Sequence, residues 1–139
     1  MRRAAVIVAA AVAVALAGCG SGAPDETGPV KSALRAYVNA FVRGDGPGMC
    51  ALMTPDTRAK FVKAVRALAK TDDCAKATVA VRNAAGPKAI AAMRGAQIRN
   101  VRIDGSNASV KLVASSGQSL ATLRKERGKW RVSLTLAAP

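Results

Sequence analysis

Acid–base and nucleophilic chemistry in this chain would fall to eight Asp and Glu, three Cys and a single Tyr, because the sequence contains no histidine. General-base catalysis needs a carboxylate sheltered beside a pocket, with its pKa raised toward working pH. The carboxylates stand elsewhere in the pattern. Asp45 falls in the break Gly44-Asp45-Gly46-Pro47-Gly48, Asp56, Asp72 and Asp73 where helices should start, and Asp104 and Glu126 at hairpin turns. Asp25 and Glu26 belong to a small polar stretch near the amino terminus. None lies mid-strand on an apolar face, so no catalytic residue is assigned and the chain reads as a non-enzyme. No Gly-rich phosphate loop ending in Lys-Ser/Thr, no Gly-x-Ser-x-Gly elbow and no paired metal ligands occur, which leaves no cofactor and no metal to expect.

Cys19 has a setting of its own. It closes Leu16-Ala17-Gly18-Cys19, behind Arg2, Arg3 and an unbroken apolar run from Ala4 to Ala17. A basic start, an apolar core and small residues at the cleavage site resemble a bacterial lipoprotein signal peptide. The run is shorter than the roughly 20 residues that cross a bilayer. Ordinary secretory cleavage is the rival, since Ala15-Leu16-Ala17 also offers small residues at suitable spacing. The resemblance implies that residues 1–18 are removed and that the Cys19 thiol takes a diacylglyceryl group. The expected address is the extracytoplasmic side of the cell membrane, held by membrane lipid through acyl chains that include palmitate. Residues 19–29 then read as a lipidated flexible tether and residues 30–139 as one domain.

In an exported, oxidising compartment Cys50 and Cys74 are expected to form a disulfide. The elements around them follow from periodicity. Val30, Leu34, Tyr37, Val38 and Phe41 share one helical face, and Gly44 to Gly48 stops that helix. Thr54 as N-cap, Pro55 and Asp56 open a helix expected to reach about Lys70. Thr71, Asp72 and Asp73 open another, bearing Cys74, Ala77 and Val81, which Gly86-Pro87 should break. Lys88 to Arg94 is left between a short helix and an irregular approach to a sheet.

From Gln97 the period changes to two. Val101 and Ile103, then Ala108, Val110, Leu112 and Ala114, mark two strands around Asp104-Gly105-Ser106-Asn107. Leu120 to Lys125 and Trp130 to Leu136 mark two more. Helices first and an antiparallel meander after give an α+β domain, with N-terminal helices packed on a sheet of about four strands.

The order of Ala40-Phe41-Val42-Arg43-Gly44-Asp45, Cys50-Ala51-Leu52-Met53-Thr54-Pro55, Cys74, Val101 to Val110 and Leu123 to Val132 resembles the nuclear transport factor 2-like superfamily, in the form of small bacterial lipoproteins. That resemblance implies a cone, in which a curved sheet and the helices enclose an apolar pocket. Tyr37, Phe41, Met53, Phe61, Leu112 and Trp130 are the candidate pocket residues. Tyr37 offers either a hydroxyl handle for a ligand or an ordinary core side chain. The resemblance leaves room for only four strands here, so an early strand pair would be missing or replaced by the stretch around Thr78 to Gly95.

Charge is the remaining functional signal. From Val30 on, twenty Lys and Arg face six Asp and Glu, more than solubility requires. Arg58, Lys60, Lys63, Arg66 and Lys70 on one helix, and Arg124, Lys125, Arg127, Lys129 and Arg131 around the last hairpin, are the candidate contacts for an anionic lipid surface or wall polymer. Nucleic acid is not expected outside the cytoplasm, with Tyr37, Phe41, Phe61 and Trp130 patterned as core. The expectation is a membrane-anchored, non-catalytic binding module of the cell envelope, with an envelope protein as a further candidate partner. The alternative is a small pocket enzyme, an isomerase or hydrolase acting on a hydrophobic substrate.

Overall fold

The computed structural model describes residues 24–137, with side chains through residue 133. The signal segment 1–18, Cys19 and the first tether residues lie outside the described residues. Four helices precede four strands: α1 (Thr27–Arg43), α2 (Gly46–Ala51), α3 (Pro55–Ala69), α4 (Cys74–Arg94), β1 (Gln97–Asp104), β2 (Asn107–Ala114), β3 (Gly117–Glu126) and β4 (Lys129–Ala137).

Caps set most helix boundaries. The Asp45 carboxylate accepts from the Gly48 N–H at 2.9 Å, Thr54 Oγ1 from the Thr57 N–H at 3.3 Å, and Asp73 from the Lys76 N–H at 2.8 Å. Helix α1 begins at Thr27, ahead of the expected Val30, and buries Val30, Leu34, Val38, Ala40 and Val42. Helix α4 is broken at Gly86, as expected, into two helical pieces. Gly86 takes φ 77° and ψ 169°, a bend open to a residue without Cβ, and the chain resumes as helix through Pro87 to Arg94.

The strands pair in sequence order, β1-β2-β3-β4, each antiparallel to the next. This corrects the expected curved cone, and with it the nuclear transport factor 2-like assignment. The sheet is open and uncurled, and β1 and β4 are its two edges. Bulges are what bend strands. Here the β2–β3 ladder is unbroken over eight pairs, and the outer ladders carry one irregularity each, between Arg99 and Arg102 and between Thr122 and Leu123. The stretch around Thr78 to Gly95, where a strand pair was allowed for, is helix.

One sheet face carries the core. Ala108, Val110, Leu112, Ala121, Leu123, Trp130 and Val132 pack against Val30, Leu34, Val38 and Val42 of α1, with Ile90 of α4. A smaller cluster of Ala40, Met49 and Met53 lies under α2. The α2–α3 link runs along β4: the Thr54 N–H donates to the Val132 carbonyl at 2.9 Å, and the Val132 N–H to the Leu52 carbonyl at 2.8 Å. That pairing covers one sheet edge. The other edge, β1, carries Arg99 and Arg102, charges that oppose pairing with a second sheet.

Candidate functional site

The six candidate pocket residues fill the interior. Leu112 and Trp130 belong to the larger core and Met53 to the smaller one, while Tyr37 and Phe41 pack against both and Phe61 against the smaller. None of the six lines the hollow beside the disulfide, the one at the α4 bend or the one between α1 and β1. Aromatic bulk in an Ala-rich interior goes into the seam between helices and sheet.

Cys50 and Cys74 form a disulfide with Cα atoms 6.2 Å apart, joining α2 to the start of α4. Beside it an open hollow is lined by Arg58, Val62, Asp72 and Asp73. Its two carboxylates are engaged. Asp72 accepts from Arg66 Nε at 2.8 Å, and Asp73 caps α4. Among the described residues no group of three His, Cys, Asp or Glu could hold a metal ion, and no helix is long and apolar enough to cross a membrane.

The ten cations singled out in the sequence are not equivalent. Lys60 pairs with Asp56 at 2.8 Å, Arg66 with Asp72, Arg124 with Glu126 at 2.8 Å and Lys125 with Glu26 at 2.6 Å. Arg131 donates to the Ala51 carbonyl and Arg58 lines the hollow beside Asp72 and Asp73. Lys63, Lys70, Arg127 and Lys129 are exposed. Half of the expected anion-binding set is therefore tied to acceptors within the fold.

Glu26 was read as tether and turns out to be a fastener. One carboxylate oxygen accepts from Lys125 Nζ and the other from Trp130 Nε1 at 2.7 Å, with the Lys125 ammonium 6.0 Å from the indole centroid. These contacts pin the start of α1 to the last hairpin. The Lys125 hydrogen bond, followed by that of Trp130, holds the Glu26 carboxyl below its ordinary value of 4.5. A depressed carboxyl contributes stability that is present above the unfolded value and is lost as pH falls through the folded one. Glu26→Gln is accordingly expected to lower the heat-unfolding midpoint at pH 7, with the difference from the parent shrinking as pH falls from about 4.5. Trp130 is the only tryptophan, so its fluorescence reads this contact directly. A pH-independent difference would assign the loss to packing instead.

A second cationic surface was not singled out in the sequence. Lys31, Arg35 and Asn39, spaced four apart on α1, line a hollow with Gln97, Ile98 and Arg99 of β1. Across the α4–β1 turn, Arg82 and Arg94 line a second hollow with Ile90 at the α4 bend. Five cations line the two hollows and no carboxylate does. Arg35 is held by the Ala96 carbonyl at 2.8 Å and Arg82 by the Val42 carbonyl at 2.9 Å. Each guanidinium uses one of its five donors this way. The exposed Asp25 carboxyl is held below its ordinary value, chiefly by hydrogen bonds from Thr27 and last by the nearby Lys31 charge. The signal was legible as the i, i+4 stripe, but its continuation onto α4 and β1 needed the tertiary fold.

No family model and no curated protein matches the chain. Among solved structures it is similar to a SEC-C motif containing protein from Rhodopseudomonas palustris. The identity is 17% over 81% of this chain and 88% of that one, with a TM-score of 0.44. A likeness that low leaves the site to be argued from its own residues.

Proposed function

We propose that the protein is a lipid-anchored, non-catalytic binding module of the bacterial cell envelope that meets its partner through cationic surface. The observation that carries the binding part is the disposition of charge around a filled core. The described fold carries twenty Lys and Arg against eight Asp and Glu. Its carboxylates are largely spent on caps and ion pairs. The anchoring part rests on Leu16-Ala17-Gly18-Cys19 behind its apolar run. Two acyl chains meet the two-signal requirement for stable retention.

Labelled palmitate should enter the full-length protein and be lost in Cys19→Ala, with the variant leaving the acylated membrane fraction. A native amino terminus with an unmodified thiol, or with the leader intact, overturns the anchor.

A further inference from the structure

We propose that the face built by α1, the stretch of α4 on either side of its Gly86 bend and the start of β1 seats on the anionic headgroups of the bilayer that carries the protein. The proposal deepens the membrane-anchoring reading and rests on it.

Two observations select this face over those carrying α3 and the last hairpin. The first is where charge is left over. On α3 and on the hairpin the cations have carboxylates among them, as Lys60 has Asp56, Arg66 has Asp72, Arg124 has Glu126 and Lys125 has Glu26. Such pairs attract an external anion weakly, because part of the field is cancelled at source. Lys31, Arg35, Arg82, Arg94 and Arg99 line hollows that contain no acid. Arg35 and Arg82 are moreover fixed by backbone carbonyls and keep donors for phosphate oxygens, which forked guanidinium groups suit.

The second observation is where the chain leaves the fold. Glu26, fastened to Lys125 and Trp130, fixes the exit point at the start of α1. Six residues separate it from Cys19, and the seven Cα–Cα steps reach at most about 25 Å. Lys31 lies about 8 Å along the helix axis from that exit and Arg35 about 14 Å. The stripe thus begins within two turns of the tether, with the exposed Asp25 as the acid near Lys31 and no carboxylate lining the hollows beyond it. Each cation brought to an anionic leaflet multiplies its residence there by about fivefold, and salt screens the effect.

The test uses the full chain purified from its own membranes and reconstituted in phosphatidylcholine vesicles, with or without one third phosphatidylglycerol. Lysines are modified with an amine-reactive reagent and located by mass spectrometry. Anionic vesicles should slow modification of Lys31 about fivefold or more, reversibly in high salt, while Lys63 and Lys129 react equally on both vesicles. The exposed pair R94Q and R99Q, together, should reduce that protection severalfold. Equal reactivity of Lys31 on both vesicles, or protection of Lys63 or Lys129 in its place, overturns the proposal and leaves the anchor standing. Protection of Lys31 by a soluble polyanion as strong as that by anionic vesicles overturns it too, reassigning the face to a dissolved partner. The same spectra read the mass of the Cys19 peptide. Absence of acyl chains refutes the anchoring reading separately, and sedimentation of that chain with anionic but not neutral vesicles would still support the face.

Discussion

Replacing Cys50 and Cys74 together by alanine should lower the unfolding free energy by about 3.5 kcal/mol, and the heat-unfolding midpoint by roughly 12–15 °C. The bridge spans 24 positions, and a cross-link of that length removes loop-closure freedom chiefly from the unfolded chain. Its local setting adds to the cost. Helix α2 has six residues, too few to hold itself in water, and it leans on α4 at close quarters. A Cβ placed on Gly46 would stand 2.3 Å from the Ala75 carbonyl oxygen. Buried beside the bridge, the Thr78 hydroxyl donates to the Cys74 carbonyl at 3.0 Å and lies 3.7 Å from Cys50 Sγ. The pair therefore fastens a helix that otherwise has little to keep it docked. Denaturant titration with and without a thiol reductant checks the argument. Reductant should reproduce the loss in the parent and do nothing to the double variant. An unchanged parent midpoint under reducing conditions refutes it.

Helix α3 and the four strands were legible because local signals and tertiary packing agree there. Thr54-Pro55-Asp56 is a helix start by chemistry alone, and α3 begins at Pro55. The four strands fall where the period of two sets in, between Gln97 and Ala137, although β1 at the edge does not alternate in burial. The cone was misjudged for a physical reason. Helices followed by a meander describe both a curled and an open sheet, and curvature depends on bulges and register, which periodicity does not carry. Gly86-Pro87 was legible as the break it is, since Gly86 leaves helical geometry there. What the dipeptide could not show is that Lys88 to Arg94 forms a second helical piece, which the burial of Ile90 and Ala92 favours.

The candidate site divides along the same line. Residue types along one helix gave cations on α3, but not the carboxylates that meet them. Whether Lys60 is free depends on Asp56 one turn away, and Arg66 depends on Asp72 beyond the helix end. Glu26 carried no signal at all. Its partners Lys125 and Trp130 are about a hundred positions distant, and a polar residue among Gly and Pro looks like tether until the sheet is beside it.

Leu34→Ala should destabilise the fold by about 3 kcal/mol, within the 2–5 kcal/mol usual for emptying a packed core site, whereas Leu68→Ala should change it by less than about 0.5 kcal/mol. Both are helical leucines on apolar faces, and composition alone would rank them together. Leu34 is 1% exposed, in the middle of the α1–sheet seam among Val30, Val38, Val110 and Leu123. Leu68 is 55% exposed near the end of α3, whose one buried residue is the polar Thr57. The seam around Leu34 is Val- and Ala-rich, and short stiff side chains cannot swing in to refill the space. Helix α1 also carries Lys31 and Arg35, so loosening it disturbs the cationic face that its backbone supports. Urea unfolding of both variants beside the parent reads the contrast. Equal losses would mean that α3 packs more tightly than its exposure implies, and a negligible loss at Leu34 would remove α1 from the stabilising core.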